Sequence, residues 1–202
     1  MAIRIATLTG QAILPLLPAL ARLRVDVFRE WPYLYDGDAQ YESGYLRTYA
    51  KSPRAAIVIA LDGEQPVGAS TCLPLTDASA SVQAPFRERG LDLARFCYFG
   101  ESVLLAAYRG QGIGVAFFSE REAHARRVSD CDFCCFCAVL RPDEHPARPP
   151  DAVPLDAFWR KRGYTLRPDL ACAMSWKDVG EPAETTKTLR FWVKSLSGAV
   201  LP

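Results

Sequence analysis

Tyr108 to Arg126 reads YRGQGIGVAFFSEREAHAR, with glycines at 110, 112 and 114 followed by twelve residues that include neither glycine nor proline. A strand that feeds such a loop and a helix that leaves it aim backbone N–H groups at one point. They are the N–H groups of the loop and those of the first helical turn, which have no intrahelical acceptor. That point favours an anion, and phosphate is the obvious guest. Glycine suits it because a side chain would hold a ligand off the backbone, and because such loops often pass through positive φ.

Three phosphate-loop patterns compete for these residues. GxxxxGK(S/T) is excluded because no Lys-Ser or Lys-Thr follows Gly114. The dinucleotide pattern GxGxxG begins at Gly110 and Gly112 but meets Val115 where its third glycine belongs. It would also open a βαβ unit near the start of a chain, whereas this loop lies past the middle. The pattern Q/R-x-x-G-x-G is met by Arg109, Gly112 and Gly114.

The 202 residues carry 24 Lys plus Arg against 23 Asp plus Glu, a formal charge of +1, which gives no global field to steer the chain to nucleic acid or an acidic membrane. A chain of this length buries a core without metals or disulfides. With no linker, repeat or low-complexity segment in view, one domain over residues 1–202 is expected. The apolar run near the N-terminus is broken by Pro15 and Pro18 and lacks a basic start with a small-residue cleavage site, so neither a signal peptide nor a membrane span is expected.

Seven cysteines, four of them in CDFCCFC (Cys131, Cys134, Cys135, Cys137), fit a reducing cytoplasm. Cys131 and Cys134 have CxxC spacing, yet no second CxxC or paired-histidine half-site completes a zinc site, and no metal is expected. A buried strand explains the cluster, with Phe133, Cys135 and Cys137 on one face and Cys134 and Phe136 on the other, the thiols acting as small hydrophobes.

Along the chain, IRIATL (3–8) alternates as a strand, and Leu16, Leu20, Leu23 and Val27 recur at helical spacing up to Trp31-Pro32. A turn through Asp36-Gly37-Asp38 leads into a short helix with tyrosines along it. Residues 55–62 and 66–75 read as a hairpin joined near Gly63. Loop and a short helix around Pro85 precede one strand over 96–106, then the glycine loop, a helix to about Arg127 with Glu122 and Arg126 paired at i,i+4, and the cysteine strand. Residues 141–154 hold five prolines in fourteen positions, a loop long enough to be a lid or substrate wall. A short helix capped at Gly163 and two strands, around 170–177 and 189–196, close the chain. In the last of these, Phe191 and Trp192 suit core or dimer packing.

With the strand before it, the helix after it and the later segment AFWRKRGY, the glycine loop resembles that of the GNAT family of acetyl-CoA-dependent acyltransferases. The resemblance runs in element order from about residue 3 to 196, and the loop is its specific part. It implies a single-domain α/β fold of mixed α+β type, with a central, mostly antiparallel mixed sheet, helices on both faces and a splayed strand pair binding coenzyme A. The loop backbone of Arg109, Gly110, Gln111, Gly112, Ile113 and Gly114 would cradle the pyrophosphate. The strand backbone of Val103, Leu104 and Leu105 would pair with the pantetheine arm.

The implied reaction is acetyl transfer from acetyl-CoA to a primary amine by direct attack in a ternary complex. The amine must lose a proton, the oxyanion must be stabilised and the thiolate must leave. Glu101, eight residues before Arg109, is the candidate general base, its bland alternative being a solvent-facing strand carboxylate. The family's proton-donating tyrosine has Trp159 in its place here, which leaves the acid role to another group such as Tyr108, to water, or to nothing. That departure also keeps open a second reading, a coenzyme A sensor without turnover.

The segment joining the first two helices often shapes the family's acceptor site, and here it supplies Trp31, Tyr33, Tyr35, Asp36, Asp38 and Tyr41. Carboxylates beside aromatics suit a small cationic amine. The partners expected are therefore acetyl-CoA and a small-molecule amine, with a homodimer allowed and no nucleic acid or membrane.

Overall fold

Alternating β-branched and small apolar residues make Arg4–Leu8 (β1), Ala56–Asp62 (β2) and Gln65–Pro74 (β3) an antiparallel set in the computed structural model, which describes residues 3–201. Ile5 lies opposite Ala60 and Val58 opposite Ser70. The β2–β3 turn is tight because Gly63 sits at φ 60°, a region that costs a side chain but not glycine. Phe133–Val139 (β6) carries the cysteines, and Thr165–Lys177 (β7) and Glu184–Ser195 (β8) form the long final hairpin. Both hairpin strands are longer than their apolar cores at 170–177 and 189–196 imply, because each extends into a polar, exposed end.

Residues 96–106 are not one strand. Phe96–Tyr98 (β4) pairs with β3 at Leu73 and Pro74 and runs parallel to β6, with Cys97 opposite Cys134. Ser102–Leu104 (β5) pairs with β3 at Gly68 to Ser70 and, among the described residues, with no other strand. The break falls at Phe99-Gly100-Glu101. The last bond to β6 runs from the Phe99 N–H to the Cys135 carbonyl at 2.8 Å, and beyond it β5 and β6 part. The main path of the mixed sheet is thus β1-β2-β3-β4-β6-β8-β7, with β5 branching from β3.

Helices cover both faces. Leu17–Phe28 (α1), Ala39–Lys51 (α2) and Ala80–Glu88 (α3) bury Leu20, Leu46 and Phe86 against the face that carries Phe133, Cys135 and Cys137. Ile113–Val128 (α4) and Asp156–Arg160 (α5) lie on the other, with Phe118, Phe158 and Trp159 against Cys134 and Phe136. The period-two reading of the cysteine strand therefore holds face by face. All seven cysteines are buried and free, and Phe191 and Trp192 are core residues at 0% and 2% exposure. None of the described helices is long and apolar enough to cross a membrane.

The branch at β5 needs glycine at one place. A Cβ at Gly68 would lie 2.6 Å from Leu104 Cδ1 and 3.0 Å from the Val103 carbonyl oxygen, inside the β3–β5 contact. Gly68→Ala is expected to lower stability by about 1–3 kcal/mol through overpacking, read as a shift in the urea midpoint at unchanged slope.

Candidate active site

The loop between β5 and α4 has the geometry its glycines imply. Gly110 and Gly112 take φ 78° and 82°, and Gly112 caps α4 without any side-chain cap. The N–H groups of Gly110, Gln111, Gly112, Ile113 and Gly114 donate to no backbone carbonyl among the described residues, and the first turn of α4 holds no acidic side chain. Five free donors at the positive end of a sixteen-residue helix are a cradle for a polyanion. A Cβ at Gly110 or Gly112 would meet open space, so their conformation and not crowding calls for glycine. Arg109 reaches back, its Nε donating to the Leu104 carbonyl at 3.1 Å and its Nη2 pairing with Glu30 at 2.6 Å. Tyr108 donates to Asp62 and is committed at the loop's other side.

Val103 is fully buried, while Leu104 and Leu105 are half-buried beside the gap between β5 and β6. Glu101 stands at the mouth of that gap, in the break itself. It is no solvent-facing strand carboxylate, since its side chain is 6% exposed. Its Oε1 lies 2.7 Å from Nη1 of Arg24, and its Oε2 accepts a long bond, 3.5 Å, from the Tyr49 hydroxyl. Arg24 in turn donates through Nε to Glu42 at 2.5 Å and lies over the rings of Phe28 and Tyr45. Burial and Glu101 hold the Tyr49 phenol well above its ordinary range, so it remains a hydroxyl. On the other face, Arg121 is 2% exposed, lies over Phe99 and Phe118, and donates from Nη1 to the Glu101 carbonyl at 3.3 Å.

Arg24, Glu42, Tyr45, Tyr49 and Arg121 were not singled out by the sequence. Glu42 and Tyr49 repeat at helical spacing along the apolar face of α2, with Leu46 between them, and a buried acid in that row was the available signal.

The residues expected to shape the acceptor site divide. Tyr33 and Tyr35 lie close to the Arg24 cluster. Burial raises both phenols, with a hydrogen bond to Glu42 adding to the effect at Tyr35. Trp31 packs on His145 of the proline-rich loop, ring centroids 5.2 Å apart. Asp36 is held by Arg29 and Lys177, and their hydrogen bonds, that of Lys177 first, lower its carboxyl. Asp38 caps α2, accepting from the Gln40 and Tyr41 N–H groups at 2.9 Å. Tyr41 is 69% exposed.

The proline-rich loop is fastened across this segment by Arg141. It donates to the Pro32 and Tyr33 carbonyls at 2.8 and 2.7 Å and forks onto Asp178, which also pairs with Lys187 at 2.9 Å. Burial alone would raise the Asp178 carboxyl, but hydrogen bonds from Arg141 and Lys187 outweigh it and hold it below the ordinary range. Trp159 has no hydroxyl and packs on Phe136 and Trp192, each at 5.1 Å, so residue 159 supplies no acid. Glu122 does pair with Arg126, but at 3.9 Å, while Lys194 binds it at 2.7 Å and Tyr164 donates to it.

Solved structures share this fold. Three of them are a GNAT-family protein from Desulfovibrio desulfuricans (TM-score 0.57, 11% identity, over 96% of this chain and 99% of that one), the ribosomal-protein-alanine N-acetyltransferase of Brucella melitensis (0.59, 16%, 96% and 99%), and yncA of Salmonella typhimurium, solved with its cofactor acetyl-CoA (0.61, 11%, 100% and 98%). Such identities establish a shared fold, and the fold of this chain is that of the GNAT acetyltransferases. No family model and no curated protein sequence matches the chain.

Two stability tests follow from these contacts. A Cβ at Gly100 would stand 2.3 Å from the Tyr49 hydroxyl oxygen and 2.6 Å from Thr71 Oγ1. Gly100→Ala should therefore lower stability by about 1–3 kcal/mol and shift the tyrosine signals of α2 in an NMR spectrum. Arg141→Met removes one of the two cationic partners of Asp178, Lys187 remaining, and should cost about 1.5–3 kcal/mol at neutral pH. Because Asp178 is held below its unfolded value, its contribution is complete above about pH 5 and fades as pH falls toward its folded value. The gap between wild type and Arg141→Met in denaturant midpoint should accordingly narrow in acid.

Proposed function

We propose that the chain transfers the acetyl group of acetyl-CoA to the primary amine of a small cationic acceptor, by direct attack within a ternary complex. One observation carries this reading. An unpaired strand edge at β5 and a cradle of free N–H groups at α4 lie in line with a buried carboxylate at the break between β4 and β5. When bound, acetyl-CoA supplies an activated acyl group on a good leaving group.

The chain's own residues then divide the work. The N–H groups from Gly110 to Gly114, with Arg109 at their edge, hold the pyrophosphate. The outer backbone edge of Val103, Leu104 and Leu105 orients the pantetheine arm. Glu101, reached from the α1–α2 side, accepts the proton that the acceptor nitrogen must lose. Tyr33 and Tyr35, with Trp31 and His145 farther out, wall the approach. Asp36 and Asp38 already serve as an ion-pair partner and a helix cap. We therefore place the attraction for a cationic acceptor in Glu42 and Glu101, whose two negative charges face one positive charge on Arg24. No dedicated acid is assigned, since a thiolate of ordinary basicity leaves without one.

Acetyl-CoA at a hundredfold excess over its dissociation constant should stabilise the fold by about 2.7 kcal/mol, seen as a rise in melting temperature. Gly112→Val should abolish most of that rise, and no rise in the unaltered protein at millimolar ligand would remove the cofactor assignment. In thiol-release assays over an amine panel, Glu101→Gln should lose roughly 10²- to 10⁴-fold in turnover, the usual worth of a positioned base, while keeping the ligand-induced melting shift. Equal turnover with neutral and cationic amines would contradict the acceptor class.

A further inference from the structure

Acetyl transfer to an ammonium releases one proton per turnover: R–NH3+ plus CH3CO–S–CoA gives R–NH–COCH3, CoA–SH and H+. The C–S bond breaks and the N–C bond forms. Of the two protons the nitrogen loses, one ends on sulfur and the other must reach solvent. The side chain that accepts it, Glu101, is 6% exposed and walled by Arg24 on one oxygen. A base so enclosed needs a path outward if it is to act again.

We propose that Tyr49 and Tyr45 form that path, relaying the proton from Glu101 to the protein surface. The geometry is a continuous row of oxygens along α2. The Tyr49 hydroxyl donates to Glu101 Oε2 at 3.5 Å, and the Tyr45 hydroxyl lies 3.2 Å from that of Tyr49. With Tyr49 donating to Glu101, Tyr45 must donate to Tyr49, so in the resting state every hydrogen in the row points toward Glu101. Glu101 and Tyr49 are both buried, at 9% and 2% exposure, and the outer residue Tyr45 is 38% exposed. Spacing of four residues on one helix fixes the pair. Thr71 pins the inner hydroxyl: its Oγ1 donates to Tyr49 at 3.0 Å and accepts the Glu101 N–H at 3.2 Å. The first link is long, as bonds to a catalytic group often are before the substrate is bound.

In the relay, protonation of Glu101 frees the Tyr49 hydrogen and both hydroxyls rotate outward; the Glu101 carboxyl then passes its proton to the Tyr49 oxygen, the Tyr49 hydrogen moves to Tyr45, and that of Tyr45 moves to water. The transfer leaves both hydroxyls pointing toward Glu101, the resting orientation. No phenolate accumulates, in keeping with phenols held above their ordinary range by burial and by Glu101. The other charged or titratable groups facing Glu101 are Arg24, Glu42 through Arg24, Tyr33, and Arg121 at the carbonyl. None of them carries this row of hydroxyls toward the surface. Tyr49 and Tyr45 act through Glu101 and not on the substrate.

The proton count rests on the transferase reading, whereas the path stands on the ligand-free protein, and the test separates them. In ligand-free protein, a laser pH jump is applied at the midpoint where the Glu101 carboxylate band titrates. The band is identified by its loss in Glu101→Gln. Infrared detection should show Glu101 exchanging its proton at least tenfold more slowly in Tyr49→Phe and Tyr45→Phe than in wild type. Equal rates in all three overturn the relay, whether or not the protein is a transferase. In turnover, Tyr49→Phe should lose tenfold or more in kcat at unchanged KM for acetyl-CoA. Tyr45→Ala should be restored toward wild type by imidazole buffer at fixed pH and ionic strength. A variant that merely loosened the fold would show no such buffer rescue, and wild-type kcat in both variants overturns the relay. Absence of thiol release from the unaltered protein across the amine panel would instead sink the transferase reading, and the pH-jump rates would still decide the path.

Discussion

Two backbone hydrogen bonds made by one residue hold the site in shape. Across the break, the Gly100 N–H donates to the Thr71 carbonyl at 3.2 Å and the Thr71 N–H donates to the Glu101 carbonyl at 3.0 Å. They keep the broken segment attached to β3 while it lets go of β6. Without them, β4 and β5 would either run straight, closing the gap against β6, or detach from the sheet. A bulge of this kind re-aims one side chain and ends pairing on one side only. Here the side chain it turns out of line is Glu101.

Two arginines lock that arrangement from opposite faces. Arg121 rises from α4, the helix whose N-terminus bears the anion cradle, and grips the Glu101 carbonyl from below. Arg24 descends from α1 and grips the Glu101 carboxylate from above. The N-terminus of α4 and the α1–α2 side of the site are thereby tied to one residue. Arg121 has no carboxylate partner among the described residues, and two aromatic faces compensate its charge instead. Such an arginine is costly to bury, and its place at the break explains why a helix otherwise packed with Phe117 and Phe118 carries it.

What the sequence shows of this and what it hides follow from the range of the interactions. The glycine loop was legible because positive φ and a free helix terminus are local demands that leave a local pattern. The faces of the cysteine strand were legible because a strand has period two. The break at Phe99-Gly100-Glu101 was not, since 96–106 is mostly apolar and a lone glycine in a strand has several causes. Nor were Arg24 and Glu42, which are eighteen residues apart and meet only because α1 and α2 pack on one another. The partners of Asp36 and Asp38 are hidden for the same reason. The acidity of both aspartates suggests a ligand, and only the fold reveals Lys177 and Arg29 on one and the N-terminus of α2 on the other.

The charge balance inside the cluster gives the deepest reason to look for a cation there. Glu42 and Glu101 are almost wholly buried, at 2% and 6% side-chain exposure, and a single guanidinium lies between them. A buried charge is tolerated when it is paired, and removing or lacking one partner is costly. Two carboxylates against one cation leave one negative charge over, in a space lined by phenols that are not themselves ionised. That surplus is relieved by a second cation beside it. Under the function we propose, an incoming ammonium would relieve it first as a cation and then as a proton donor, so the same imbalance would draw the acceptor in and drive its deprotonation.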